Sequence, residues 1–208
     1  MKRNLWLTLG AACLLTAALS ISAAARRADE QLAARISPGI LRFHILADSN
    51  RREDQELKLE VRSLLLDAIG ELLSGQEGQG GGEPDKQDTV RCVQENAGAL
   101  ERLAEGFLAA KGRPEKVSVE VAEDYFPTKY YGDIRLPCGV YEAARVTIGR
   151  GGGRNWWCVL YPKLCFVEES WAEMPPESKE KLRGSLPERD YLAVLRPQPE
   201  IQIGWKFF

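Results

Sequence analysis

Between residues 40 and 47 apolar and polar side chains alternate, with Leu41, Phe43 and Ile45 on one side and Arg42 and His44 on the other. That period of two predicts a strand with one dry face. Asp48-Ser49-Asn50 breaks it, and Asn50 with Glu53 three residues later predicts a helix start by a capping box. Leu57, Val61, Leu64, Ala68 and Leu72 then recur at helical spacing, and Leu65, Ile69 and Leu73 widen the stripe. Residues 75–84 are glycine-rich and polar, too poor in apolar surface to offset their ordering entropy, and predict a mobile connector. A second amphipathic helix follows from Asp85 to Lys111 on Val90, Val93, Ala97, Leu100, Ala104 and Phe107, ended by Gly112 and Pro114.

The second half of the chain switches to strand patterning. Val117, Val119 and Val121 alternate with Ser118 and Glu120, and Tyr125 to Gly132 reads as an aromatic loop interrupted by Pro127. Val140 to Ile148 predicts another strand, Gly149 to Gly153 a turn, and Asn155 to Tyr161 its hairpin partner. A weak helix near residues 177–183 and an alternating end, Ile201, Ile203, Trp205 and Phe207, complete the pattern. The order β-α-α-β-β-β predicts an α+β fold, two helices packed on one face of a mainly antiparallel sheet, with a closing C-terminal strand. The domain plan is a signal or anchor at 1–25, a main domain at 36–167 and a polar extension at 168–208.

The N-terminus sets the expected compartment. Lys2 and Arg3 precede an uncharged run from Leu5 to Ala25, followed by Arg26 and Arg27. Ala23-Ala24-Ala25 offers a cleavage site for a secretory signal, and a run of this length also suits a retained anchor. Both predict that the remainder works beyond the membrane. A formal charge of −2 and a pI near 5.7 provide no field for nucleic acid, and no nucleic-acid motif is present.

Outside the cytoplasm, the even cysteine count beyond residue 25 favours disulfides. Cys158 and Cys165 bracket a short turn, and their bridge is predicted to contribute about 2–3 kcal/mol in the chain-entropy model. Cys92 and Cys138 offer a second pair whose connectivity the sequence leaves open.

Candidate chemistry is sparse. His44 is the only histidine, and it reads as a half-exposed strand residue; the rival is an exported hydrolase or envelope-binding protein centred on His44 and nearby acids. Metal chemistry lacks a histidine pair or a C-x-x-C spacing. The doublets Glu53-Asp54, Glu123-Asp124 and Glu168-Glu169 point their members apart wherever they lie on a strand. The run from Gly149 to Arg154 precedes strand residues rather than a helix, so it predicts a turn and not a phosphate cradle; Arg150 and Arg154 are weak candidates for an acidic partner or a lipid headgroup. Two segments concentrate aromatics as recognition surfaces do: Tyr125 to Gly132, and Asn155-Trp156-Trp157, whose tryptophans face opposite ways.

Four stretches together resemble the stage II sporulation protein R family. They are Leu41-Arg-Phe-His-Ile-Leu-Ala-Asp-Ser49, Glu53-Asp-Gln-Glu-Leu-Lys58, Tyr125-Phe-Pro-Thr-Lys129 and Asn155-Trp-Trp-Cys-Val-Leu-Tyr-Pro-Lys-Leu-Cys-Phe166. The glycine-rich connector and Cys138 depart from the family's pattern. The resemblance implies a forespore signalling protein, not an enzyme, exported into the space between the two sporangial membranes. There it would activate a membrane-embedded aspartic protease that removes the pro-sequence of the mother-cell sigma factor. No cofactor, small-molecule substrate or nucleic acid is expected, and contact with the membrane surface is. On this reading the candidates for partner contact are Tyr125, Phe126, Thr128, Lys129, Tyr131, Asn155, Trp156 and Trp157.

Overall fold

A computed structural model describes residues 2–80, 84–162 and 176–195. Helix α1 (Lys2–Ile36) leads through a short 3₁₀ turn (Ser37–Gly39) into strand β1 (Leu41–Leu46). Helices α2 (Arg52–Gly80) and α3 (Lys86–Ala110) follow, then β2 (Val117–Phe126), β3 (Lys129–Tyr131), β4 (Ile134–Leu136), β5 (Gly139–Ile148) and β6 (Asn155–Tyr161). Two short helices, α4 (Pro176–Ser185) and α5 (Glu188–Val194), end the described chain. The main sheet runs β2-β5-β1-β6; β1 is parallel to β5, and the other two pairings are antiparallel. This is the expected α+β architecture.

The core forms where the predicted stripes meet. Phe43, Ile45, Val117, Val119, Val146 and Ile148 share one face by their cross-strand register. They are buried in one cluster with Val61, Leu65 and Ile69 of α2 and Val93, Leu100, Ala104 and Leu108 of α3. Each of these side chains other than Ala104 contributes about 1.5–3 kcal/mol on burial. Asp85 caps α3 with its carboxylate on the Asp88 amide, and Asp88 returns the bond. Gly112, at φ 74°, ends it. α3 also protects the open edge of the sheet: Glu101 and Glu105 accept the backbone N–H groups of Val119 and Val117 on β2.

Several expectations are corrected. β6 is not the hairpin partner of β5, because β1 lies between them. Both faces of β1 are buried, Arg42 and His44 included, so it is the strand that needs a neighbour on each edge. The Gly149–Gly153 segment therefore strides over the end of β1, where Gly152 and Gly153 donate to the carbonyls of Asp48 and Ala47. Gly149 sits at φ 57°, and a Cβ there would lie 2.4 Å from Asp48 Oδ1. Asn50 does not cap α2: its side-chain oxygen accepts the Arg154 amide and ties down this crossing loop.

The connector starts later than predicted, since α2 continues to Gly80; glycine weakens a helix by about 1 kcal/mol per residue without forbidding it. The aromatic loop is ordered, with Tyr125 and Phe126 ending β2 and Lys129–Tyr131 pairing with β4. The predicted strand at 201–207 lies outside the described residues.

α1 does not stop at the foot of the domain. Ala33 and Ile36 are fully buried, and its last turns pack on β5, where a Cβ on Gly139 would come within 2.4 Å of Ala33 Cβ. The last turns are as much part of the core as the sheet is.

Candidate functional site

The face of the sheet opposite α2 and α3 gathers polar and aromatic side chains from all four strands. By register it presents Arg42 and His44 from β1, Tyr141, Ala143 and Arg145 from β5, Asn155 and Trp157 from β6, and Glu120, Asp124 and Phe126 from β2. β2 and β6 are opposite edges, yet the rings of Phe126 and Trp157 are 4.7 Å apart, so the sheet coils until its edges meet over β1.

His44 sits where they meet. Its ring stacks on Trp157 at 4.8 Å, nearly parallel, and touches Phe126 edge-on at 5.4 Å. Nε2 is 2.9 Å from Asp124 Oδ2, and Nδ1 is 3.3 Å from Asn155 Oδ1. Arg145 reaches both oxygens of Asp124 at 3.2 Å and also pairs with Glu120 at 2.7 Å. Those bonds hold its guanidinium above the ordinary arginine range, Glu120 the larger influence. His44 is 4% exposed, which corrects the expectation of a half-exposed residue; the ring fills the seam of a coiled sheet.

Arg42 lies wholly buried beneath this seam. Its Nε donates to the carbonyl of Cys158, and its planar group lies 4.4 Å from the Phe126 ring and 5.1 Å from that of Tyr141. Nη1 and Nη2 have no hydrogen-bond partner among the described residues, where the two ring faces supply the remaining stabilisation of the charge. Burial pushes the Tyr141 phenol far above its usual range, and its hydroxyl donates to the carbonyl of Pro137.

The predicted contact residues divide by burial. Phe126 is completely buried and supports the surface from below. The Thr128 hydroxyl accepts the Cys138 amide and shapes the turn. Trp156 faces the helices, edge-on to Phe43 and beneath the Arg62 guanidinium at 4.5 Å. Trp157, Asn155, Lys129 and Tyr131 are partly accessible, and Tyr125 is exposed. The two tryptophans do face opposite ways, but both are partly covered.

Sequence reasoning missed Tyr130, the most exposed aromatic among the described residues at 62%. It also missed the joint role of Asp124 and Arg145; their shared face follows from strand alternation once the register of β2 on β5 is known.

Tyr125 belongs to a second group at the foot of α1. Its hydroxyl donates to Glu30 at 3.0 Å, and the Arg26 guanidinium lies over its ring at 5.4 Å. A hydrogen bond with the Cys138 thiol, then burial and the Glu30 bond, push the phenol up to about 12.

Cys92, Cys138 and Cys158 are free thiols, so no bridge joins Cys92 to Cys138. Cys92 lies in the core under α3, whereas Cys138 meets Tyr125 near α1. Cys158 is buried, and its expected partner, Cys165, lies outside the described residues. Arg150 pairs with Asp48 at 3.2 Å, which makes it a loop clamp within the chain. A cleft of about 460 Å³ lined by Ser37, Lys86, Val121 and Glu142 lies on the other face of the sheet. Among the described residues no group of three metal-binding side chains comes together.

A family model described as stage II sporulation protein R matches residues 37–171. Stage II sporulation protein R of Bacillus subtilis (strain 168) is 32% identical over 141 residues, which make up 68% of this chain and 60% of that protein. No solved structure matches.

Proposed function

The chain belongs to the stage II sporulation protein R family, and from that premise we propose that it is an exported signal that switches on a membrane-embedded aspartic protease. The protease then removes the pro-sequence of the mother-cell sigma factor. Activation requires tighter binding to the protease's active shape than to its resting shape, since equal affinity for both shifts nothing.

The observation that carries this reading is the convergence of three separated segments on one seam. His44, Phe126 and Trp157 come from three of the four stretches through which the sequence resembles a signalling family, and they touch one another. Asn155 borders the seam through His44, Lys129 and Tyr131 follow Phe126 closely in the chain, and these three with Trp157 are part-exposed, as residues that anchor protein interfaces are. The apolar α1 supports export across, or retention in, a membrane.

The His44–Asp124 pair is the feature among the described residues that most favours a hydrolase. Both ring nitrogens already face oxygens, of Asp124 and Asn155, and among the described residues neither faces a hydroxyl or thiol to activate. These contacts support the reading of a structural seam. Full-length chain, the protease and its precursor substrate, reconstituted together in vesicles, test the proposal. Precursor cleavage is expected only when all three are present. Cleavage that proceeds equally without this chain would refute activation.

A further inference from the structure

We propose that α1 seats the domain on the bilayer in one fixed orientation, with a rim of Arg26, Arg27, Tyr125 and Tyr130 lying among anionic phospholipid headgroups. The inference rests on the export reading, because it needs α1 in a membrane, and it is independent of which enzyme the protein signals to.

The first part of α1 is built for lipid. Its uncharged run, Leu5 to Ala25, is roughly 30 Å long at helical rise, which matches the hydrocarbon thickness of a bilayer. Leu14, Leu15, Leu19 and Ile21 point outward, well exposed, with no described residue of the domain covering them. Thr16, Ser20 and Ser22 donate their hydroxyls to carbonyls one turn back, so these polar groups need no water.

The second part of α1 makes the seating rigid. No break separates the apolar run from Ala33 and Ile36, which are fully buried in the domain. Asp29 pairs with Arg135 of β4, and Arg35 bonds Asp190 of α5 at 2.9 Å. A helix clamped on two sides cannot act as a flexible tether. Its axis and depth in the bilayer set those of the domain.

Geometry then decides which residues meet the headgroups. From Ala25 to Glu30 the helix climbs about 7.5 Å, against a headgroup layer of about 5–7 Å on each side of the hydrocarbon. Arg26 and Arg27 are exposed at the start of that climb. Tyr125 spans it from one side, its ring under Arg26 and its hydroxyl on Glu30. Tyr130 stands beside Arg135, the partner of Asp29, and so flanks the helix at the same level. Two exposed tyrosines with a pair of arginines at the end of an apolar helix are the composition of a membrane interface. The arginines select anionic lipid through its phosphate.

The test uses the full chain with all its cysteines, in vesicles of phosphatidylglycerol and phosphatidylcholine. A spin label is placed through p-acetylphenylalanine at position 130, or at 103 for comparison. Leu103 is exposed on α3, beside the end of β2 remote from Tyr125. Depth is read by power saturation with oxygen and a nickel chelate. The label at 130 is expected at headgroup depth and the label at 103 in bulk water. A chain that floats with vesicles but holds both labels in water overturns the seating while leaving anchoring intact. A chain that does not float with vesicles overturns anchoring itself. Spin–spin broadening between labels at 130, in place of lipid depth, would show that a second copy covers the rim, and would equally overturn the proposal.

Discussion

Nε2 of His44 on the central strand lies 2.9 Å from Oδ2 of Asp124 on an edge strand, and Arg145 closes on the same carboxylate at 3.2 Å. One acid therefore serves two cationic or donor groups across the coiled face. Asp124→Asn removes the charge while keeping the shape. It is expected to lower unfolding stability by about 1–3 kcal/mol, because the part-buried Arg145 loses the charge of its partner and the bond to buried His44 falls on an uncharged amide oxygen. Urea denaturation checks this as a lower midpoint at constant slope; an unshifted midpoint would show the pair to be dispensable.

Acid should weaken the protein through Asp54. Its carboxylate is buried at the start of α2, accepting bonds from the Ser49 hydroxyl and from Arg113 at 2.6 Å. The Ser49 bond first, then Arg113, hold it below the ordinary carboxylate range. A carboxylate depressed in the folded state adds stability that is fully present above its unfolded pKa, about 4, and is lost as pH falls through the folded value. Asp54→Asn should cost about 1–3 kcal/mol at neutral pH. It should also flatten the decline below about pH 4. Parallel acid limbs in the two proteins would contradict the assignment.

Phe126 and Lys129 should separate stability from signalling. Phe126→Ala empties a fully buried site between Arg42, Tyr141 and Trp157 and is expected to cost about 3–5 kcal/mol, with activity lost through unfolding. Lys129→Ala is expected to leave the melting temperature within error, as surface changes do, and to reduce precursor processing severalfold. Thermal melts run beside the processing assay distinguish the two. Wild-type processing by Lys129→Ala would remove it from the contact surface.

Arg42 gives the least conventional expectation. Two of its nitrogens are buried without partners, so the guanidinium's desolvation is only partly offset by the Cys158 carbonyl and two rings. Arg42→Met keeps most of the volume and should stay within about 1 kcal/mol of the parent or exceed it. Arg42→Ala should lose about 2–4 kcal/mol to the cavity. Equal, large losses in both would show that the charge itself is required.

How much of this could be read from the chain alone follows from the range of each interaction. Alternation in 41–46 and 117–121, the helical stripes of α2 and α3 and the Gly112 stop are local patterns, and those elements formed where their patterns lay. The aromatic stretches were visible by composition as well. Their sorting into buried Phe126, covered Trp156 and exposed Tyr130 was not. Burial at those positions depends on which strand lies next to which.

The sequence by itself determined the main helices and strands, the α+β class and the apolar N-terminal segment, because periodicity and breakers act within a few residues. Only the tertiary structure decided that β1 takes the centre of the sheet, parallel to β5. The same long-range register joined His44 to Asp124 and clamped the last turns of α1 between Arg135 and Asp190. Partners 80 to 155 residues apart are chosen by the packing of the whole core, to which no local pattern refers.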